Sequence, residues 1–426
     1  MGIALLFGSF LLCLLIGVPV AIALGLSSLS YILWADIPLV IIPQKMYAGI
    51  DVFVLLCIPG FIIAGNLMNG GGITPRIIRF ANALVGGIRG GLGLTNIMGS
   101  MIFAGVSGTA VAEAASIGAV MIPGMQRAGY PPAFAAALTS SASTVGPIIP
   151  PSVPMIIVGA LTGISVGRMF MAGAVPGLLL GVGMMVGCYV ISVRRGYPHQ
   201  PWQGWRELLK AFSGSFWALT MTVLIIVGIL SGDVTPTETA IVAVAYALAV
   251  GAFVYRGFPI ADVPRLVIDS TIGSAAILVL VGFANVFGWI LASEEIPQKI
   301  AAAVLAITTN KYLVILLINI LLLCVGMFME TIAALIILFA PLLAVAQSVG
   351  VDPVHFATFA VLNLMIGLST PPVGVCMFVC ANIARVPLSA VIRELMPFLL
   401  MNGIVLLLVS YVPAFSLWLP NLIFGK

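Results

Sequence analysis

The chain has 426 residues, of which 62% are apolar and 7% charged, with a formal net charge of +4. Soluble domains carry about 25% charged residues, so this composition excludes an ordinary water-soluble enzyme and an intrinsically disordered chain. Apolar runs of the roughly 20 residues that a spanning helix needs recur from end to end, so the chain reads as an all-α polytopic membrane protein. The small positive balance comes from arginines in short connections, a topology signal that implies lipid surroundings and no nucleic-acid partner.

In chain order, residues 3–34 are too long for one upright helix, and Gly17-Val18-Pro19 is the place for a break. The segment lacks a charged leader region and stays apolar past Ala21 and Ala23, so it reads as a retained span and not a cleaved signal peptide. Residues 77–96 are less uniformly apolar and read as a surface-lying connecting helix, with a tilted span as the alternative. Residues 97–126 run apolar, then Gly105-Val106-Ser107-Gly108-Thr109-Ala110, then apolar again, which predicts a re-entrant hairpin with its tip near 105–110. Residues 132–164 are interrupted by Gly146-Pro147-Ile148-Ile149-Pro150-Pro151-Ser152, whose prolines remove backbone donors and predict a broken helix. Three spans follow at 211–231, 236–255 and 268–291, the second opened by a capping box at Thr235-Pro236-Thr237-Glu238. A second connecting helix is expected at 298–311. A second hairpin is predicted at 319–347 with Gly326-Met327-Phe328-Met329-Glu330-Thr331 at its tip. A second broken helix is predicted at 353–384 around Gly367-Leu368-Ser369-Thr370-Pro371-Pro372.

The two halves match at an offset of 221 residues. Gly105 falls on Gly326, Gly129 on Gly350, Pro132 on Pro353, Gly146 on Gly367, Pro150-Pro151 on Pro371-Pro372 and Pro176 on Pro397. The chain therefore divides into a first repeat at 1–210 and a second at 211–426. Basic connections mark the cytoplasmic side, and the richest is Arg194, Arg195, His199, Arg206 and Lys210. From there, Asp233, then Arg256 with Arg265, then Glu294 with Glu295 alternate from side to side. Arg127 precedes the first broken helix while Asp352 precedes the second; Arg168 follows the first while Arg385 and Arg393 follow the second. The repeats are thus expected to be inverted.

The breaks are where chemistry is expected. Unwound backbone at membrane depth persists only where protein or a wet cavity covers it, and the freed carbonyls and half-helix ends then bind ions or an anionic group. The atoms offered are hydroxyls of Ser107, Thr109, Ser152, Ser369 and Thr370 and the glycine and proline carbonyls. Hard oxygens of this kind suit an alkali cation and no transition metal. A substrate carboxylate is expected at the half-helix N-termini near Ser107, Thr109 and Ser152. Glu113 and Glu330 are candidates for coupling a cation or proton, against capping or a buried hydrogen bond. Arg127 and Arg168 read as topology anchors in preference to substrate clamps, and Asn66 and Asn285 as inter-helix hydrogen bonders. The six cysteines read as small buried hydrophobes; Cys376 and Cys380 share a helix face without a His or acid to complete a metal site. No phosphate loop, His-Glu-x-x-His or Gly-x-Ser-x-Gly motif occurs, so no enzymatic activity and no organic cofactor are expected.

Together, Ser107-Gly108-Thr109-Ala110-Val111-Ala112-Glu113, Pro147-Ile148-Ile149-Pro150-Pro151-Ser152, Thr235-Pro236-Thr237-Glu238 and Gly367-Leu368-Ser369-Thr370-Pro371-Pro372-Val373-Gly374 resemble the large membrane subunit of tripartite ATP-independent periplasmic (TRAP) transporters. So do Ile58-Pro59, Ala64-Gly65, Leu67-Met68 and Gly70-Gly71-Gly72. The family often has Ser where Thr109 stands and Asp where Glu113 and Glu330 stand, changes that keep the functional group. The resemblance implies a bacterial inner-membrane symporter with an elevator-type fold, driven by sodium and importing an organic acid such as a C4-dicarboxylate, sialic acid or another sugar acid. It implies a small four-helix membrane subunit and a periplasmic solute-binding protein as partners. It also implies sodium near Gly105, Ser107, Gly146, Pro147 and Ser152 in one copy, and near Gly326, Gly367, Thr370 and Val373 in the other. Whether each site mixes the copies stays open at this level. The alternative reading is a channel or a stand-alone permease; a channel would need a filter repeated around a symmetric ring, whereas one chain here holds two non-identical breaks.

Overall fold

The computed structural model describes residues 2–198, 201–231 and 234–425; His199 and Asp233, used above for topology, lie outside the described residues. Among the described residues there is no strand, and eight helical segments are long and apolar enough to cross a membrane. The first apolar run does break at Gly17-Val18-Pro19, giving α1 (Gly2–Leu15) and α2 (Val20–Trp34), which pack on each other. Then come α3 (Ile41–Ile50), α4 (Cys57–Gly70) and α5 (Ile73–Val85).

Helix α5 has 13 residues. At 1.5 Å per residue that is about 20 Å, short of the ~30 Å hydrocarbon core, so the tilted-span alternative fails on length. It buries Ile73, Ile77 and Ala81 and turns Arg79 outward to Glu207, 2.6 Å away. The connecting segment is shorter than 77–96, because residues 91–96 already belong to the first hairpin arm, α6 (Gly91–Ser107). The returning arm is α7 (Ala110–Arg127), and the first broken helix is α8 (Pro132–Ala142) with α9 (Val153–Thr162).

Long helices form the frame: α10 (Val166–Arg195), α11 (Gly204–Ser231), α12 (Pro236–Ala249) and α13 (Val263–Ser293). Helix α11 starts upstream of the 210/211 boundary drawn from the sequence and runs straight through it. Its first turns are polar but not loop-like, since Glu207 pairs with Arg79. Helix α12 opens on the expected capping box: the Glu238 amide donates to Thr235 Oγ1 at 3.2 Å, and the Thr235 amide donates to Glu238 Oε2 at 2.7 Å. The remaining helices are α14 (Ile296–Ile307), α15 (Lys311–Gly326), α16 (Thr331–Ser348), α17 (Pro353–Gly367), α18 (Val375–Ala384), α19 (Leu388–Tyr411) and α20 (Ala414–Phe424). Both ends of α7 and α16 stand 221 positions apart, as do the starts of α8 and α17.

The core is polarised about two helices. Every residue from Phe134 to Ala142 in α8 and from Val354 to Gly367 in α17 is buried, which requires apolar or small side chains all round. The short helix of each broken pair packs on the other half: α18 lies on α7 and α8, and α9 lies on α16 and α17. Of the six cysteines only Cys57, Cys188, Cys376 and Cys380 are buried; Cys13 is half-buried and Cys324 exposed. The last two face outward on α1 and α15, where lipid is as apolar as protein and a thiol is equally at home.

Asn66 and Asn285 bond between helices. Asn66 Nδ2 donates to Ser270 Oγ at 2.8 Å, joining α4 to α13, and Asn285 Nδ2 donates to the Lys45 carbonyl at 2.7 Å, joining α13 to α3. Asn285 also lines a cavity of about 150 Å³ between α3, α13 and α9. A double-mutant cycle with Asn66→Ala and Ser270→Ala, read by thermal unfolding in detergent, should return a coupling of roughly 0.6 kcal/mol, the mean for such bonds in membrane helices. Additive single effects would mean that the bond contributes nothing.

Candidate functional site

The first hairpin turns in two residues. Helix α6 ends at Ser107, Gly108 takes φ +64, Thr109 is extended, and α7 starts at Ala110. The side chain of Ser107 lies outside the described residues. A Cβ on Gly108 would come within 3.2 Å of the Pro151 carbonyl, so the tip rests on the break of its own copy. That break is a single 3-10 turn at Gly146–Ile148, then extended Ile149, a cis Pro150-Pro151 bond and Ser152. Ser152 caps α9 by accepting from the Met155 amide at 3.2 Å, and its hydroxyl donates to the Pro147 carbonyl. Ser152 is fully buried and does not line the cavity described below.

In the second copy, Met327-Phe328-Met329 turns the chain between α15 and α16, and Glu330 caps α16. Its Oε2 accepts from the Ile332 amide at 2.8 Å and the Ala333 amide at 3.3 Å. Pro371-Pro372 is again cis, and Gly374 takes φ +51 before α18. The hydroxyls of Ser369 and Thr370 both donate to the Ile366 carbonyl, at 3.0 and 2.7 Å. Val373 stands exposed. Gly326 and Gly367 meet backbone to backbone: a Cβ on Gly367 would lie 2.7 Å from Gly326 Cα.

The tips and breaks of both copies share one small cavity of about 40 Å³. Gly108, Thr109, Pro147 and Val153 line it from the first copy, and Glu330 and Met365 from the second. The structure therefore brings Thr109, Pro147 and Glu330 together, and leaves Gly105, Gly146, Ser152, Gly326, Gly367 and Thr370 behind its wall. Gly105 is buried and its carbonyl accepts from Thr222 Oγ1 at 3.2 Å. Neither arginine weighed as a clamp reaches the cavity: Arg127 Nε donates to the Pro123 carbonyl of its own helix, and Arg168 Nη2 donates to Asn421.

Glu113 points elsewhere. It sits in the first turn of α7 with no solvent exposure, and neither carboxylate oxygen has a hydrogen-bond partner among the described residues. One oxygen presses on the backbone of Gly146, where any Cβ would coincide with it. The Ser100 hydroxyl, also buried and unpartnered, faces the same carboxylate. Ser100 was missed from sequence, where nothing in the pattern of small residues along α6 marks it as facing Glu113 of α7. Charging a carboxyl group so poorly supplied with donors is costly in a protein interior, so Glu113 either stays neutral here or needs a cation beside it.

A model of the tripartite ATP-independent periplasmic transporter family, DctM component, matches residues 7–415. The chain belongs to that family. It is 42% identical, over 96% of both chains, to the sialic acid TRAP transporter large permease protein SiaM of Vibrio cholerae. It is 40% identical, over 94% of both chains, to the C4-dicarboxylate TRAP transporter large permease protein DctM of Pseudomonas aeruginosa. The isethionate TRAP transporter permease protein DctMQ of Oleidesulfovibrio alaskensis is 40% identical over 97% of this chain but only 65% of its own length. In fold, the chain is similar to the YdaH transporter of Alcanivorax borkumensis, a crystal structure of unusual topology, with a TM-score of 0.60 at 16% identity over 88% of this chain and 87% of that one. The protein is thus a multi-span TRAP large permease, and the relatives named here are permeases and not enzymes.

Two substitutions test the packing of the site. Gly146→Ala should destabilise the protein by about 1–3 kcal/mol, the usual effect of overpacking a filled core, and Glu113→Ala in the same chain should recover part of the loss by vacating the space. Thermal unfolding of the two single variants and the double variant reads this directly; a double variant no better than Gly146→Ala would show that the two groups do not touch.

Proposed function

We propose that this large permease is a sodium-driven importer of an organic acid, working as one component of a three-part system in a bacterial inner membrane. The observation that carries the reading is the shared cavity, where tips and breaks from both copies converge and hydroxyl, carbonyl and carboxyl oxygens are among the polar atoms offered. That donor set fits sodium, a hard cation. Gly105, Ser107, Gly146, Pro147 and Ser152 would hold one ion, with the Glu113 carboxylate supplying the charge behind Gly146. Gly326, Gly367, Thr370 and Val373 would hold another, with Glu330 beside them. Bound there, sodium supplies the gradient that drives uphill import.

The two halves offer different ends to a ligand. The N-termini of α7 and α9 face the cavity through Thr109 and Val153, α9 being capped by the neutral hydroxyl of Ser152, whereas that of α16 is capped by the carboxyl group of Glu330. A substrate carboxylate is therefore favoured at the first-copy end, near Ser107, Thr109 and Ser152, where no carboxyl cap opposes the helix dipoles. The named substrates of the relatives (sialic acid, C4-dicarboxylate and isethionate) are all organic anions, which supports a C4-dicarboxylate, sialic acid or other sugar acid here. Bringing an anion inward against an inside-negative potential costs about 2.3 kcal/mol per charge per 100 mV, and accompanying sodium offsets that term.

Alternating basic connections support an inverted arrangement of the two copies, and movement of the tips and breaks as one body against the long helices gives an elevator. A small four-helix membrane subunit would supply the share of DctMQ that this chain does not span. A periplasmic solute-binding protein would deliver the acid. The test is uptake by proteoliposomes holding this chain with its small subunit. Import should require both an inward sodium gradient and the binding protein, and Glu113→Gln should reduce it about tenfold or more, the equivalent of ~1.4 kcal/mol in ion affinity. Equal uptake under a potassium gradient, or without the binding protein, would point to a channel or a stand-alone permease.

A further inference from the structure

Helix α11 carries several hydroxyls, and three of them bond back into the helix. Ser215 donates to the Ala211 carbonyl at 2.9 Å, Thr220 to Phe216 at 2.9 Å, and Ser213 to Lys210 at 3.0 Å, the usual back-bonding of such residues within one turn. Thr222 is different. Its hydroxyl leaves the helix and donates 3.2 Å across to the Gly105 carbonyl of α6. Gly105 lies in the last turn of α6, where carbonyls have no intrahelical donor and must find a partner elsewhere. The two helices are held close at this point: a Cβ on Gly105 would strike the Thr222 side chain, so glycine is required for the approach.

We infer that Thr222 is a tether by which the long helix α11 holds the first hairpin tip, and that it competes with the coupling sodium for the Gly105 oxygen. This rests on the sodium reading above only in its second half; the tether itself stands on the contact. With no ion, the orphan carbonyl is satisfied by Thr222 and the tip stays fixed to the frame. An ion that draws the same oxygen weakens the hydroxyl bond, so filling the site and freeing the tip become one event. Thr222 touches neither substrate nor reacting atoms and acts only through the position of Gly105, as a positioning residue.

The experiment uses the full chain in lipid nanodiscs and three variants: Thr222→Val, which keeps the shape and removes the hydroxyl; Thr222→Ala, which removes it without β-branching; and Thr222→Ser, which retains it. Amide hydrogen exchange over 104–112 is measured in choline chloride. Thermal protection is then titrated with sodium chloride replacing choline. A net hydrogen bond of the usual strength predicts tip exchange about threefold to tenfold faster in Thr222→Val and Thr222→Ala, with Thr222→Ser near the parent. The sodium concentration giving half-maximal protection should fall by a similar factor in the two variants lacking the hydroxyl. Tip exchange that stays at the parent rate in both would overturn the tether. Faster exchange with an unchanged or higher sodium midpoint would overturn the competition and leave the tether. Faster exchange in a parent that sodium does not protect at all would remove the sodium reading instead.

Discussion

A helix broken inside a membrane leaves amides and carbonyls that water cannot reach, and everything at the centre of this protein follows from where those groups find partners. At the first break, Ser152 answers two of them at once, accepting from Met155 and donating to Pro147. At the second tip, Glu330 takes the two leading amides of α16. At the second break, Ser369 and Thr370 converge on the Ile366 carbonyl. Thr222 closes the account at Gly105 from a neighbouring helix. Against this background, the buried carboxyl group of Glu113 stands out, with only the Ser100 hydroxyl facing it among the described residues.

The copies are related but not equivalent in chemistry. The first tip places a small hydroxyl residue, Thr109, where the second places Glu330, so only the second half-helix is capped by a carboxyl side chain at its first amides. Glycine serves the site mainly by being absent as a side chain. Gly146 makes room for a carboxylate, and the Gly326–Gly367 contact lets two main chains touch.

Much of this was legible in the residues. Prolines and glycines at membrane depth located both breaks, and the Thr235–Glu238 capping box and the Gly17–Pro19 interruption appeared where local chemistry put them. The resemblance of four motifs to TRAP large permeases led to the family that the comparisons show. Boundaries were less legible: the hairpin arms start at Gly91 and Lys311, earlier than their apolar pattern suggests, because glycine turns and the Asn310 cap set those ends while hydropathy does not. Side-chain direction was least legible. Spacing cannot tell that Glu113 turns behind the break while Glu330 faces the cavity, or that Thr222 donates outward while Thr220 donates back, since both depend on which helix happens to lie alongside.

The exchange of short helices between the halves has a consequence for how the protein is made. Helix α9 packs on α16 and α17, which begin about 170 or more residues further along the chain. During synthesis α9 therefore enters the bilayer with α10 following it but without α16 and α17, carrying a polar break that lipid cannot satisfy. The second half then covers that break and supplies α18 to α7 and α8 in return. A chain stopped before α16 would therefore lack the surfaces of the second half on which α9 rests.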